Sequence, residues 1–568
     1  MNTRWTMLPE AHAGFAHVLG IDLGVPPLIA GLLVQRGIQS FEDARKFFRP
    51  ALTDLHDPFL MRDMDKATAR IKIAIEQGEK ILVYGDYDVD GTTAVALMWS
   101  YLRSRNANAG YYIPDRYKEG YGISAAGIEF AAAHGYSLII ALDCGIKSVD
   151  KVAFANSLRV DFIICDHHRP GDTLPDAVAV LDPKRNDCSY PYDELTGCGI
   201  GFKLIQALEQ LRGNTAEQLA PYLDLVAVSI AADIVPMTGE NRVLTTFGLE
   251  RINTQPRPGF AAILKLAKNK SAVTVSDLVF LLAPRINAAG RVQHGTKAVE
   301  LLVSDNEAAA EIAGDEIQRN NIERKDLDTR ITIEALQQID LRPEWQNNKS
   351  TVVFDSGWHK GVVGIVASRL IDRYYRPTVV LTATDGIATG SARSVRDFDV
   401  YQAIESCADL LTQFGGHKYA AGLSLPAENV ERFRERFEEV VSATILPEQL
   451  IPEITIDARL PLKDIDAKTI RLLRQFAPFG PGNMNPVFLA QNVADRGWAR
   501  VVGNNHLKFD LIDPNFPDRI FPAIGFGMGE HINTLQRGKT ADVCYTIEEN
   551  SWNNTVSMQL NVKGIRGN

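Results

Sequence analysis

Acidic residues and histidines recur in this 568-residue chain at the ends of apolar runs. The segment Tyr84–Gly91 reads YGDYDVDG, Ala141–Gly145 reads ALDCG, and Cys165–His168 reads CDHH. A fourth segment, Ala231–Pro236, reads AADIVP at the end of a helical pattern. Aspartate is unfavourable inside strands, and several carboxylates held close together repel one another. A bound cation would remove that repulsion, so the pattern predicts a metal site.

The chemistry of these side chains indicates the class of metal. Carboxylate oxygens and imidazole nitrogens suit Mn²⁺ or Mg²⁺, and the chain has no set of cysteines spaced to favour zinc. Four of the aspartates would supply about four negative charges, which balance the charge of two divalent ions; a pair of such ions binds phosphate and activates water for attack on phosphorus. The sequence therefore predicts a two-metal phosphoesterase site that includes Asp88, Asp90, Asp143 and Asp233.

Alternating strand and helix patterns would bring these segments together. Short apolar runs at 81–84, 111–113, 138–142, 162–165 and 177–181 predict buried parallel strands, and helical patterns lie between several of them. This alternation predicts an α/β fold with a doubly wound parallel sheet, in which ligands bind beyond the carboxyl ends of the strands. We expect the acidic segments to meet at that edge.

The rest of the chain predicts further modules. Residues 1–75 are expected to form a helical segment that packs on a catalytic domain over 76–300. A long, charged, Ala-rich stretch predicts a connecting helix within 301–345, followed by a second α/β domain over 346–445. Alternating apolar residues close to the C-terminus, on either side of a turn predicted at 551–554, indicate that residues 446–568 form a small β-barrel.

Composition limits the possible functions. A net charge of −10 argues against a protein that coats nucleic acid through a global positive field, but it allows a local basic channel. Six cysteines without a CxxC pair argue against a zinc site and a disulfide framework, and they suit a reducing compartment. Apolar runs are shorter than the roughly 18–20 residues of a membrane helix, and no signal-peptide pattern is found. We expect a cytoplasmic protein without a role in membranes.

The four segments, in this order, resemble the motifs of the DHH phosphoesterase superfamily. That resemblance implies metal ligands, the first of them a supporting one, at Asp86, Asp88, Asp90, Asp143, His167 and Asp233. It also implies that Asp166 orients a histidine and that His168 faces the phosphate, as catalytic residues. The superfamily's pyrophosphatases have a histidine where this chain has Tyr84, which argues against that branch.

Further stretches resemble the single-strand-specific DNA exonucleases of this superfamily, from about residue 55 to 550. Gly415–Gly422 is similar to the GGH motif of the DHH-associated domain, which contacts substrate. Similar stretches are also found at Pro114–Arg116, Glu119–Gly122, Pro284–Arg291, Gly357–Gly361 and Gly390–Ser394. The resemblance implies 5′-to-3′ removal of mononucleotides from single-stranded DNA by two-metal hydrolysis, in DNA repair and recombination.

Such an enzyme needs a cap for the terminal phosphate beside the metals, and arginine suits this because its planar fork meets phosphate oxygens in pairs. The expected substrate contacts are Arg116, Arg285, Arg393, Ser394, Gly415 and Gly416, and His417 is expected to be catalytic by donating to the scissile phosphate. The barrel resembles an OB-fold, a common platform for single strands. The resemblance further implies that a helicase and single-strand-binding protein supply the strand, and we expect a monomer.

Two alternatives remain open at this point. The first is an enzyme of the same superfamily that acts on pyrophosphate, a cyclic dinucleotide or a short oligonucleotide; the extra C-terminal domain argues against it. The second is an inactive single-strand-binding replication factor. The intact set of predicted metal ligands argues against that reading.

Overall fold

A computed structural model of the chain describes residues 3–268, 272–535, 539–552 and 555–568. Its contacts define two compact units, one formed by Met1–Leu8 with Ile322–Ile456 and the other by Pro9–Asn321 with Asp457–Asn568. Within the described ranges, none of the helices combines the length and the apolar character that crossing a bilayer requires.

The chain begins with a short strand and four helices: β1 (Arg4–Met7), α1 (Ala13–Leu23), α2 (Pro27–Gln35), α3 (Phe41–Phe48) and α4 (Met64–Glu76). Apolar side chains of α4 pack in the core of the catalytic domain. Those of α1, α2 and α3 instead pack in one hydrophobic cluster with side chains of the C-terminal barrel. This differs from the expectation that residues 1–75 pack together on the catalytic domain.

The next region forms a five-stranded sheet in which all neighbouring strands are parallel, in the order β3-β2-β4-β5-β6. Its elements are β2 (Lys80–Gly85), α5 (Val89–Ser104), β3 (Ala109–Tyr112), α6 (Ala125–Ala133), β4 (Tyr136–Leu142), α7 (Val149–Ser157), β5 (Asp161–Cys165) and β6 (Ala179–Leu181). Alternate residues of β2 enter different cores, Ile81 and Val83 on one face and Leu82 and Tyr84 on the other. Helices therefore cover both faces, as a buried parallel sheet requires.

A helical layer follows the sheet: α8 (Gly197–Gln210), α9 (Leu223–Asp233), α10 (Gly239–Thr254), α11 (Pro258–Leu266), α12 (Val275–Asp277), α13 (Ala283–Val292) and α14 (Thr296–Leu302). A π-helical turn, Leu278–Leu282, joins α12 to α13. The long helix α15 (Glu307–Asp340) comes next, close to the bounds that the charged, Ala-rich stretch predicts.

The unit that contains most of residues 322–456 has its own sheet, in the order β10-β11-β9-β8-β7. Its elements are β7 (Thr351–Phe354), α16 (Val363–Tyr374), β8 (Thr378–Thr384), β9 (Ile387–Arg393), α17 (Val400–Glu405), β10 (Gln413–His417), β11 (Ala420–Pro426), α18 (Val430–Thr444) and β12 (Glu453–Ile456). Strands β7 and β8 are parallel and the others antiparallel, and β1 pairs with β12 in parallel.

The C-terminal elements are β13 (Ala458–Arg459), α19 (Ala467–Arg474), β14 (Phe488–Asp495), β15 (Arg500–Val502), β16 (His506–Asp513), β17 (Phe516–Gly525), β18 (Ala541–Trp552) and β19 (Thr555–Gly567). Strand β14 pairs with both β18 and β16, which closes the ring β14-β18-β19-β17-β16. Asn553 and Asn554 of the predicted turn lie outside the described residues. The parallel sheet, the second α/β unit and the barrel confirm the predicted fold class.

Candidate metal centre and its surroundings

The carboxyl ends of neighbouring strands place aspartates along one edge of the parallel sheet. Asp86 follows β2, Asp143 follows β4, and Asp166 follows β5. The backbone N–H of Asp143 donates to the carbonyl of Cys165 at 2.9 Å, and that of Asp166 donates to Leu181 at 3.0 Å. The hydrogen-bond ladder of the sheet thus continues one residue beyond the strands. It fixes the backbone of Asp143 and Asp166 relative to the neighbouring strands.

His167 lies at the centre of the acidic cluster. Its Nε2 atom is 3.2 Å from Asp143 Oδ1, 3.7 Å from Asp233 Oδ2 and 3.8 Å from Asp90 Oδ2. Ligand atoms of His167, Asp90 and Asp233 all lie within 4.8 Å of one another, and so do those of His167, Asp143 and His168. Side chains from four separated segments therefore converge at distances that a shared cation can bridge.

Asp90 is anchored by the start of α8. The backbone N–H groups of Gly197 and Cys198 donate to its two oxygens at 2.7 and 2.9 Å, and the Ser229 hydroxyl donates to one of them at 2.6 Å. A helix N-terminus presents unpaired N–H groups and a partial positive charge, which together stabilise a carboxylate. Asp90 is consequently held in one orientation by three hydrogen-bond donors.

Two glycines allow the helices to approach the strand ends this closely. A Cβ atom on Gly91 would lie 2.4 Å from the carbonyl oxygen of Asp86, and one on Gly197 would lie 2.5 Å from the Cβ atom of Asp143. Real Cβ atoms do not approach other atoms so closely. The absence of a side chain at both positions is therefore a condition for the geometry of the cluster.

Several buried polar atoms of the cluster lack a hydrogen-bond partner. Both carboxylate oxygens of Asp86 and the Nδ1 atom of His167 are buried and form no hydrogen bond of normal geometry with the described residues. Asp88 caps α5 through one oxygen, which accepts from the N–H of Gly91 at 3.0 Å. Unpaired buried oxygens are costly unless a cation or water satisfies them, so these residues fit a divalent metal.

Burial and mutual repulsion disfavour the charged forms of these carboxylates. Burial, followed by the neighbouring aspartates, raises the pKa values of Asp86, Asp88 and Asp143 and raises that of Asp233 to about 8. Burial also lowers the pKa of His167 to about 4, so its imidazole is neutral, as a metal ligand must be. Two positive charges per ion would reverse the penalty on the carboxylates.

Asp166 orients the second histidine of the motif. One of its oxygens accepts from the Nδ1 atom of His168 at 2.7 Å and from the N–H of His167 at 2.8 Å, while the other accepts from Ile146 at 2.9 Å. Burial opposes a charge on either side chain, yet this hydrogen bond raises the pKa of His168 to about 9 and lowers that of Asp166 to about 2. The Nε2 atom of His168 lies 3.2 Å from the Tyr121 hydroxyl, at the exposed side of the cluster.

Substituting Asp166 with asparagine is expected to lower kcat about 10- to 100-fold, the usual cost of removing a residue that orients a functional side chain of a metal site. An amide necessarily sets its NH₂ group against a backbone N–H donor that in the wild type meets a carboxylate oxygen, and it carries no charge, so its hold on His168 is weakened. Steady-state rates measured with Asp166→Asn and His168→Ala, singly and combined, check this. Additive losses, or a full rate for Asp166→Asn, would contradict the role; exposed Asp172→Asn is the control.

Among the predicted substrate-binding residues of this unit, Arg116 lies near the acidic cluster, and Arg285 is hydrogen-bonded to other residues of the unit. The Arg116 guanidinium stacks 4.8 Å from the ring of Tyr87 and acts electrostatically on Asp86 and Asp88. Arg285 donates to Leu281 O at 2.7 Å and to Gln318 at 2.9 Å.

The other predicted substrate residues belong to the second α/β unit and lie at one end of its sheet. His417 pairs with Ala420, which in turn pairs with Arg393. The Arg393 guanidinium donates to Ser391 Oγ at 2.7 Å, and Ser394 donates to the carbonyl of Phe398 at 2.8 Å. Gly415, Gly416 and His417 are exposed on β10.

Three residues near the cluster were not identified as site residues from sequence. Tyr121 contacts His168, Asp182 follows β6 at the same sheet edge, and the Lys184 ammonium is close enough to act on Asp182 and Asp233. Burial raises the pKa of Asp182 to about 7. The signal for Asp182 was available, because it follows an apolar run as the other aspartates do. Tyr121 lies in the family-like stretch Glu119–Gly122, but that resemblance gives its hydroxyl no role.

Models of three known domain families match separate parts of the chain, one after another. The DHH family N-terminal domain matches residues 80–230, the DHHA1 domain matches 347–443, and the RecJ OB domain matches 456–564. The single-stranded-DNA-specific exonuclease RecJ of Bacillus subtilis (strain 168) is 39% identical over 545 residues, which cover 95% of this chain and 68% of that protein.

Crystal structures of RecJ from Thermus thermophilus are similar over 99% of this chain. The complex with Mn²⁺ has a TM-score of 0.85 at 28% identity and is covered over 79% of its length. The complex with Mg²⁺ has a TM-score of 0.77 at 27% identity and is covered over 78%. With the clustered aspartates and histidines of this chain, these complexes confirm the predicted choice of Mn²⁺ or Mg²⁺ as cofactor. The three family matches and the level of identity over most of the sequence establish that the chain belongs to the RecJ family.

Proposed function

We propose that this protein is a metal-dependent exonuclease that acts on single-stranded DNA, removing mononucleotides from the 5′ end. The observation that carries the proposal is the convergence of Asp90, Asp143 and Asp233 on His167 at the carboxyl edge of the parallel sheet. Relatives that share this family carry the name single-stranded-DNA-specific exonuclease. We also propose a role in DNA repair and recombination, on the basis of the similarity to RecJ.

We assign the metal ligands to Asp88, Asp90, Asp143, His167 and Asp233, with Asp86 as a supporting ligand. This set carries about four to five negative charges, enough for two divalent ions. When bound, such ions polarise a phosphodiester and lower the pKa of water, which is the chemistry that hydrolysis of DNA requires. The unpaired oxygens of Asp86 and the neutral imidazole of His167 support this assignment.

The protein's own groups hold and orient the reacting phosphate. Asp166 fixes His168 through Nδ1, which leaves Nε2 facing the exposed side beside Tyr121. A proton on Nε2 would be donated to a phosphate oxygen and would offset charge that develops there. The Asp90 carboxylate cannot turn away, because three donors fix it.

Contacts with the rest of the strand are proposed for both units separately. In the catalytic unit, the guanidinium of Arg116 is the best placed for a phosphate, since it lies near the acidic cluster and is supported by the Tyr87 ring. Arg285 stays a candidate although its donors already serve Leu281 and Gln318. In the other unit, Arg393, Ser394, Gly415, Gly416 and His417 are the candidates. The OB-like barrel is proposed to bind more distant nucleotides.

Linear single-stranded DNA labelled at either end tests the activity directly. With Mn²⁺ or Mg²⁺, a 5′ label is expected to appear at once as a mononucleotide, whereas a 3′ label should remain on progressively shorter strands. A closed single-stranded circle and a blunt duplex should resist, because neither offers a free single-stranded 5′ end. The products are separated on denaturing gels over time.

The same experiment separates the alternatives. Rapid hydrolysis of dinucleotides with little action on long strands would favour a small-nucleotide phosphodiesterase. Binding of single strands without any metal-dependent cleavage would favour an inactive binding protein. A monomeric state, a cytoplasmic location, and supply of the strand by a helicase and single-strand-binding protein stay predictions of the family resemblance.

A further inference from the structure

A buried arginine connects the catalytic domain to the segment that precedes the barrel strand β14. Arg242 on α10 donates all five of its side-chain N–H groups to backbone carbonyls: Phe47, Gln475, Phe476, Ala477 and Pro478. Four of these carbonyls belong to the segment between α19 and β14. We call Gln475–Asn483 the clamp segment.

The hydrogen bonds of Arg242 are specific for a guanidinium. The side chain is only 4% exposed, it stacks 3.8 Å from the ring of Phe47, and the five acceptors that it meets among the described residues are all carbonyls. Only arginine carries five N–H donors in one plane, so lysine or glutamine would leave several of these carbonyls unpaired. Arg242 therefore fixes the path of the clamp segment.

The clamp segment is held from a second side by α2. Arg36 donates to the Asn483 side-chain oxygen at 3.0 Å, and the Asn483 amide donates to the carbonyls of Phe476 and Pro478 at 2.8 and 2.9 Å. Asn483 is buried and closes the segment on itself. The clamp segment is thus a rigid element rather than a loose linker, because most of its carbonyls accept hydrogen bonds and its closing side chain is engaged.

This rigid segment rests on the residues that follow the metal ligand Asp233. The N–H of Met237 donates to the carbonyl of Pro481 at 2.6 Å. A Cβ atom on Gly480 would lie 3.0 Å from Met237 Cβ, and one on Gly482 would lie 3.0 Å from Thr238 Cγ2. Only the residues 234–236 separate this contact from Asp233.

Asp233 needs such external support. It is the last residue of α9, its side chain is 30% exposed, and the next residue, Ile234, has a left-handed backbone with φ of 60°. Its carboxylate has no hydrogen-bond donor among the described residues like those that hold Asp90, and it faces His167 at 3.7 Å. The position of this ligand therefore depends on the loop after α9 as well as on the end of the helix.

We infer that Arg242 and the clamp segment are positioning elements for the metal site: they hold the loop after α9 so that Asp233 reaches the ion. The clamp segment then contributes to metal affinity in addition to connecting α19 to the barrel strand β14. This inference rests on the proposed function insofar as Asp233 is taken as a metal ligand. Residues that support a metal ligand typically change affinity 10- to 100-fold when they are replaced.

Direct titration of the metal-free, full-length protein with Mn²⁺, followed by electron paramagnetic resonance of free Mn²⁺, tests the inference. Arg242→Gln and Arg242→Lys are expected to weaken Mn²⁺ binding about tenfold. Raised Mn²⁺ should restore kcat in both variants, because the ligands themselves are intact. Unchanged affinity in folded Arg242→Gln would overturn the inference.

Arg70→Gln is the matched control. Arg70 donates to Glu79 and Asp161 at 2.7 Å each, beside the amino ends of β2 and β5 and thus at the opposite edge of the same sheet. Its loss should lower thermal stability and leave Mn²⁺ affinity unchanged; an equal loss of affinity would mean that general destabilisation is the cause. If both Arg242 variants fail to fold, Gly480→Ala decides, since its methyl group pushes directly on Met237. An affinity equal to wild type in that variant would overturn the inference.

Asp233→Asn separates this inference from the proposed function. If wild type does not bind Mn²⁺, or if Asp233→Asn binds it as wild type does, the metal assignment itself fails. If Asp233→Asn weakens binding and the Arg242 and Gly480 variants do not, only the positioning role fails.

Discussion

Replacing His167 with alanine is expected to reduce kcat on single-stranded DNA by about a thousandfold or more, while affinity for the strand changes little. His167 faces three carboxylates at 3.2–3.8 Å, so its loss removes the proposed central neutral ligand and leaves the aspartates to repel one another. Metal ions contribute several kcal/mol to such reactions, and about 4 kcal/mol corresponds to about a thousandfold in rate. Single-turnover cleavage and fluorescence anisotropy measure the two effects.

The controls separate loss of metal from loss of fold. His134→Ala removes an exposed histidine of the same domain, whose ring packs on Phe130, and should leave the rate unchanged. Asp143→Asn should reproduce the defect of His167→Ala, because it removes the carboxylate nearest to Nε2. Near-wild-type cleavage by His167→Ala in saturating Mn²⁺ would exclude His167 as a ligand.

Much of the catalytic domain could be predicted because a buried parallel sheet has a simple sequence pattern. Apolar runs at 81–84 and 138–142 correspond to Lys80–Gly85 and Tyr136–Leu142 in the structure. The apolar runs are shorter than the strands because Lys80 and Tyr136 lie at strand ends that are not fully buried. A residue at such a position need not be apolar. The convergence of acidic residues followed from the same pattern, since parallel strands end at one edge.

Contacts between distant segments left no such pattern. The helices α1–α3 have an apolar side, but the sequence does not indicate which partner covers it. In the structure, side chains of the barrel cover it. Arg242 resembles any helix arginine in the sequence, because its partners are backbone carbonyls, which carry no residue signature. The role of Tyr121 is likewise set by a turn that brings its hydroxyl to His168. Such contacts required coordinates.

The two histidines of the motif illustrate the same limit at the level of chemistry. Sequence assigned Asp166 to a histidine but did not specify which one, because both histidines follow it directly. In the structure its side chain accepts from the Nδ1 atom of His168, whereas Nδ1 of His167 has no partner among the described residues. The neighbouring imidazoles therefore differ in surroundings, one neutral among carboxylates and the other paired with a carboxylate.

Replacing Gly197 with alanine is expected to cost about 1–3 kcal/mol of stability and to lower kcat about a hundredfold. The new methyl group would meet the Cβ and Cα atoms of Asp143 at 2.5 and 2.6 Å, and backbone atoms cannot move aside as a flexible side chain can. The start of α8 must shift instead, which lengthens the hydrogen bonds from Gly197 and Cys198 to Asp90. One methyl group thus displaces two proposed ligands. Chemical denaturation measures the loss of stability, and single-turnover kinetics measure the loss of rate.

Gly199→Ala, two residues further along α8, is the matched variant. A Cβ atom there would meet Leu195 and Thr196 side-chain atoms at 3.4 Å, which is ordinary contact, and alanine favours a helix over glycine by about 0.5–1 kcal/mol. This variant should be as stable as wild type or more so, with an unchanged rate. If Gly197→Ala behaved like Gly199→Ala, the close approach of α8 to Asp143 would not be what holds the metal ligands, and the geometry of the cluster would have to depend on the strand ends alone.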